Sequence, residues 1–243
     1  MKRKAIRRPR PVVVTAREIM KAQRTNQTIG SAYPLRASTR GIVLVIASAC
    51  AQAGSYDDFF IAVRNDNAGE VTELLRRGFD ANTRDAKGQP GLTVAMQEQS
   101  MKAAKVLLAQ PGLDVDALNQ AGESALMMAA LKGNLVGLDL LLARGAKVGQ
   151  PGWSAIHYAA TGPEPLAVTR LLDRGADANA ASPNGSTPLM MAAQYGPEDS
   201  VKILLARGAD VRLRNQRELR AADFARQAGR ESLTRMLDKL SPP

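Results

Sequence analysis

Nucleophilic or general-base chemistry needs a group that titrates near neutral pH beside a nucleophile and an orienting carboxylate. This chain has one histidine, His157, and one cysteine, Cys50. His157 stands in Ser154-Ala155-Ile156-His157-Tyr158-Ala159-Ala160, and a triad there would need partners converging on it inside an enclosed pocket. Asp177 and Asp210 recur in a Gly-Ala-Asp setting, which reads as turn chemistry rather than a metal or acid–base cluster. Gly88 and Gly91 are spaced like part of a phosphate loop, but they follow no strand and no lysine stands at the required place. With its only thiol outside the repeats, the rest of the chain can form no disulfide, Cys-liganded zinc site or cysteine nucleophile.

The elements that would position these residues repeat. Ser186-Thr187-Pro188-Leu189-Met190-Met191-Ala192-Ala193-Gln194-Tyr195-Gly196, followed by Val201 to Asp210, has degraded copies upstream. Gly91, Ser124, Ser154 and Thr187 mark equivalent positions at spacings of 33, 30 and 33, and a weak copy near Asp57 adds 34. A period near 33 signals a solenoid. Ala159-Ala160 and Ala192-Ala193 keep one helix face thin, so neighbouring helices can approach. Val168, Leu171 and Leu172, like Val201, Leu204 and Leu205, fall at i, i+3 and i+4 and form an apolar stripe. Gly145, Gly175 and Gly208 end the second helices where a left-handed residue is expected. Thr187 caps a helix that Pro188 begins.

These residues resemble ankyrin repeats over about residues 56 to 240. The resemblance implies an all-α solenoid of helix-turn-helix units joined by β-hairpin-like fingers. The units fall at about 56–88, 89–122, 123–152, 153–185 and 186–217, with a C-terminal cap at 218–240. The first unit, with Asp57, Asp58, Phe59 and Phe60, lacks the Thr-Pro start and resembles an N-terminal cap. Arg220, Arg226, Arg230, Glu231 and Arg235 give the last unit a polar outer face.

Ankyrin recognition, so mapped, implies a non-catalytic interaction module that binds another protein as a monomer and without a cofactor. Its candidate contacts are Gln120, Ala121 and Glu123, then Leu131 and Lys132. Trp153, Tyr158, Thr161 and Gly162 follow, then Pro183, Asn184 and Ser186, then Gln194 and Tyr195. Ala86, Lys87 and Gln89 correspond in the second unit, whose helix departs from the pattern. The resemblance also gives His157 a structural role, tying a helix start to neighbouring backbone. Trp153, the sole tryptophan, is either an interface anchor or packing for the finger beside it. Met127-Met128 and Met190-Met191 either adapt a contact surface or fill gaps between helices. The finger from Gly145 to Gly152 is three residues shorter than that from Gly175 to Gly185, which predicts a notch with Trp153 at its edge.

The formal net charge of +10 lies in residues 1 to 54, where eleven Lys and Arg face the single acid Glu18. The remainder is balanced at 22 basic and 22 acidic residues, which gives no bulk field for nucleic acid or anionic lipid. Arg36 to Arg40, the apolar run Gly41 to Cys50 and Ala51-Gln52-Ala53 have the three parts of an export signal cleaved after Ala53, placing the protein in the periplasm or outside the cell. The alternative is a hydrophobic cap helix on a cytoplasmic solenoid. The run is too short to span a bilayer, which takes about 20 residues. Residues 1–34 read either as upstream of a true start at Leu35 or as a transit peptide, and Arg7-Arg8 fits a twin-arginine signal poorly. Ile46 to Cys50 is a permissive lipobox, so Cys50 is either lipidated or discarded with the leader. Three functions stand open: an exported adaptor or protective partner, an effector delivered into a host cell, and a hydrolase acting at the concave face.

Overall fold

The computed structural model describes residues 56–241, and the leader, its apolar run and Cys50 lie outside them. The described residues form six helix pairs. These are α1 (residues 56–64) with α2 (Ala68–Arg76), α3 (Gly91–Gln97) with α4 (Met101–Leu108), and α5 (Ala125–Leu131) with α6 (Leu135–Ala143). Then come α7 (Ala155–Thr161) with α8 (Pro165–Asp173), α9 (Pro188–Tyr195) with α10 (Glu198–Ala206), and α11 (Ala221–Gln227) with α12 (Glu231–Leu240). From α3 onward each first helix packs on the first helix of the next pair, and the second helices from α2 to α10 form a parallel row. Among the described residues no strand forms. The fingers are chains of turns, with one isolated antiparallel bridge between Arg84 and Pro90.

Small residues set the stacking distance. Ala129, Ala130, Ala159, Ala160, Ala192 and Ala193 are fully buried along the first-helix row. Val168 and Leu171, and Val201 and Leu204, bury the stripe of the second helices against it. Gly145, Gly175 and Gly208 adopt φ near +89°, +87° and +86°. At the first of them the amide of Ala146 donates to the carbonyl of Leu141 and that of Gly145 to Leu142, a Schellman closure of α6.

The start of each first helix follows one plan with different atoms. The residue three after the cap returns an acceptor to the cap's own N–H: Met127 Sδ to Ser124 at 3.4 Å, Met190 Sδ to Thr187 at 3.4 Å, and the Asp223 carboxylate to Arg220 at 2.9 Å. In the second unit the cap is Pro90, which has no N–H to give, so the buried hydroxyl of Thr93 at that register finds no partner.

The two ends are closed differently. Phe59 stacks on Phe79 with centroids 4.5 Å apart and meets Phe60 edge-on at 5.1 Å, while the Tyr56 hydroxyl donates to the carbonyl of Arg84 at 2.7 Å. At the far end Arg220 is buried and donates to the carbonyl of Ser241 at 2.7 Å, and Arg226 bridges Asp223 and Asp238. Arg230 Nη1 donates to the carbonyls of Ala192, Ala193 and Gly196 at 2.9, 3.1 and 2.8 Å, satisfying the end of α9. Replacing the unpaired Thr93 by valine removes a buried hydroxyl at constant shape, and urea denaturation of Thr93→Val is expected to show a gain of about 1 kcal/mol.

Candidate binding face

The face is built on fingers that hydrogen-bond to one another. Within a finger, an Asp or Asn side-chain oxygen collects the N–H groups of the tip: Asp85 Oδ1 accepts from Lys87 and Gln89, Asn119 Oδ1 from Ala121 and Glu123, and Asn215 Oδ1 from Arg217 and Leu219. Between fingers, Asn82 donates to the carbonyl of Gly112 at 3.0 Å and accepts from the amide of Asp114 at 2.8 Å. Asn179 does the same with Gly208 and Asp210, at 3.1 and 2.7 Å. Asp177 and Asp210 carboxylates accept from the amides of Asn179 and Arg212 two residues on, so both act as turn residues.

The short finger breaks this arrangement. Aligned from Gly145 and Gly175, Lys147 takes the place of the aspartate and Gly149 that of the bridging asparagine. The Lys147 amide still donates to Asp116 at 2.8 Å, but Gly149 has no side chain with which to reach forward. Inside the finger, Gln150 Nε2 donates to the carbonyl of Trp153 at 2.9 Å, standing in for the backbone bond that closes the other tips, and it also reaches the carbonyl of Gly122 in the preceding finger at 3.4 Å.

His157, 1 % exposed, lies directly beneath. Its Nε2 faces the carbonyls of Ala180 at 3.0 Å and Ser186 at 3.2 Å, which can only accept and so place the ring proton there. Nδ1 then accepts from the Ser154 amide at 3.3 Å and hydroxyl at 3.0 Å. Burial is the largest influence on the ring and pushes its pKa below the usual imidazole value, against the pull of its hydrogen bonds to Ala180, Ser186 and Ser154. Both nitrogens are committed to structure, as the family resemblance implies.

Trp153 lies half-buried, edge-on to His157 with centroids 5.3 Å apart. With Leu131, Tyr158, Thr161 and Met191 the two rings line an open cavity of about 210 Å³ on the inner face of α7, between α5 and α9. The Tyr158 hydroxyl donates to Glu123 Oε1 at 2.9 Å, and Asn119 holds the other carboxylate oxygen at 2.8 Å. Burial first and this carboxylate second raise the Tyr158 pKa far above the usual phenol range, so the phenol stays a neutral donor. The Thr161 hydroxyl turns back to the carbonyl of Tyr158 at 2.8 Å.

The other candidate contacts divide by exposure. Gln120, Lys132, Pro183, Asn184 and Tyr195 are exposed, Tyr195 at 63 %, while Glu123, Leu131, Thr161 and Gln194 are half-buried. Ser186 needs correction: it is 1 % exposed, its carbonyl accepts from Ser182 and His157, and its hydroxyl lies 3.5 Å from Asn215 Nδ2, so it builds the finger and presents nothing outward. The methionine pairs also divide. Met127, Met128 and Met190 are core, and only Met191 reaches the cavity. The Glu123–Tyr158 bond joins two residues 35 apart whose pairing no local pattern announces.

The family model for ankyrin repeats in three copies matches residues 59–151 and 139–215. The chain belongs to the ankyrin-repeat family. Among its relatives, an intracellular phospholipase A2 of Caenorhabditis elegans is 29% identical over 76% of this chain and 18% of its own length. The nuclear factor NF-kappa-B p105 subunit of Gallus gallus is 33% identical over 64% of this chain and 16% of its own. The chain thus spans less than a quarter of the curated relatives it first matches. A solved chain from the complex of the Bd0816 predatory endopeptidase of Bdellovibrio bacteriovorus with immunity protein Bd3460 superposes with a TM-score of 0.66. It is 25% identical, over 75% of this chain and 97% of that one.

This ankyrin repeat has one imidazole, and it folds neutral. An unfolded imidazole takes its proton near pH 6.5, and the folded one only at lower pH, so stability is full above about pH 6.5 and declines as pH falls toward the folded value. Denaturant midpoints measured at about pH 7.5 and about pH 5.5 are expected to drop for wild type, and the part of the drop due to the imidazole is expected to vanish in His157→Gln.

Proposed function

We propose that this chain is a non-catalytic protein-binding module, exported from the cytoplasm, whose finger tips and first-helix ends cover a partner protein and protect or restrain it by steric occlusion. The observation that carries this reading is the face around the α7 cavity. Two half-buried aromatics and a thioether stand open there, and the exposed Gln120, Lys132, Pro183, Asn184 and Tyr195 lie on the neighbouring finger tips and first-helix ends. Its one imidazole is spent on backbone carbonyls and on Ser154. Large rigid side chains with a polar rim suit burial against another protein, and a cavity open to solvent with no activated nucleophile suits hydrolysis poorly.

The likeness to a chain from an endopeptidase–immunity protein complex supports a protective role, because covering an enzyme's working surface needs only shape and contact. The basic flank, apolar run and Ala51-Gln52-Ala53 support export. Occlusion by a stack is tunable in reach, since each unit adds one finger and one helix end to a continuous surface.

Co-purification from the native compartment tests the face. Trp153→Ala and Tyr195→Ala are expected to weaken capture of the partner by about tenfold or more each, and retention of wild-type capture by both variants would sink the assignment. Mass spectrometry of the mature chain from its source is expected to give a product beginning after Ala53, and a mass that includes residues 35–53 would remove the export reading.

A further inference from the structure

Resting on that reading of the face, we infer that the α7 cavity is a specificity pocket for one large aliphatic or aromatic side chain of the partner, carried on a loop with an acidic residue beside it. About 210 Å³ suits a single Leu, Met or Phe side chain, and five of the six lining residues, Leu131, Trp153, His157, Tyr158 and Met191, present carbon, sulfur or ring faces. The sixth, Thr161, has its hydroxyl turned away to a backbone carbonyl. The pocket is therefore dry in chemistry though open at its mouth, and it lies beside the finger that is three residues short.

Charge selects what flanks the inserted side chain. Lys132 follows Leu131 at the end of α5, is exposed, and makes no ion pair or side-chain hydrogen bond among the described residues. The carboxylates of this neighbourhood are already engaged: Glu123 accepts from Tyr158 and Asn119, and Glu164 Oε1 accepts from the amide of Leu166 at 3.1 Å to cap α8. Gln120, Pro183 and Asn184, on the tips of the fingers before and after the short one, are exposed and uncharged. An approaching loop thus meets one available cation beside an apolar hole. A carboxylate within about two residues of the inserted side chain would complement it, and a lysine or arginine there would be repelled.

Selection of a phage-displayed random nonapeptide library on the full chain tests this, with emission of the sole tryptophan as the readout of binding by synthetic copies of the selected peptides. Enrichment of peptides with one Leu, Met or Phe next to Asp or Glu, and a change in Trp153 emission on binding, are expected. Thr161→Phe, which fills the pocket, should weaken these peptides by about tenfold or more, and Lys132→Glu, at an exposed site, should cost about tenfold and transfer the preference to basic peptides. Absence of enrichment, selection of basic or purely polar peptides by wild type, or unchanged binding by Thr161→Phe would overturn the pocket. Partner capture lost in Tyr195→Ala alongside such a result would leave the broader binding face standing, so the two failures are distinguishable.

Discussion

Backbone touches backbone where one unit meets the next, and the rest of the stack depends on that contact. The turns after α7 and α9 run Gly162-Pro163 and Gly196-Pro197, and the proline holds each glycine extended. A Cβ on Gly196 would lie 2.0 Å from the carbonyl oxygen of Ala160, and one on Gly162 would lie 2.7 Å from that of Ala130. No side chain fits between them, so the spacing of these units is set by main chain and by the buried alanine pairs, with little slack for adjustment. The larger apolar side chains then fill a space whose dimensions are already decided.

That fixed spacing makes the fingers interdependent. With the units stacked closely, an asparagine in one finger reaches both the glycine carbonyl and the aspartate amide of the next, as Asn82 and Asn179 do. In the short finger the bridging position is held by Gly149, which has no side chain to reach forward, while the helix row beneath continues as in the other units. The break is therefore local: the stack continues, and Trp153 packs edge-on against His157 of its own helix. An irregularity in the repeat becomes a cavity because the regular part does not yield.

Much of this was legible in the residues. The period, the glycine stops and the Thr-Pro start fixed the helix pairs, since each is a short-range rule of backbone geometry. Counting residues between glycines marked the finger in which the forward bridge is missing. What could not be read was the direction of individual side chains. Met190 and Met191 are neighbours in sequence, yet one accepts a cap N–H in the core and the other lines the cavity, a difference of one helical step. Ser186 stands among exposed finger residues by position but is folded under, because its carbonyl is needed by His157 from 29 residues away. Long-range hydrogen bonds of this kind depend on the stack being assembled and leave no local mark.

The same logic accounts for where the histidine is kept. At the third position of α5 and α9 a methionine suffices, because a thioether can accept the cap's N–H and nothing further is asked of it. The two fingers that flank each of those helices are joined directly, Asp116 to Lys147 across α5 and Asn179 to Gly208 and Asp210 across α9. In the unit of α7 the forward bridge is missing at Gly149, and there the third position must also donate, toward Ala180 and Ser186 of the following finger. Imidazole accepts on one nitrogen while donating from the other across the width of a ring, which a thioether cannot do. His157 thus ties its helix, from beneath, to the following finger that Gly149 cannot reach, and one side of its ring lines the open cavity.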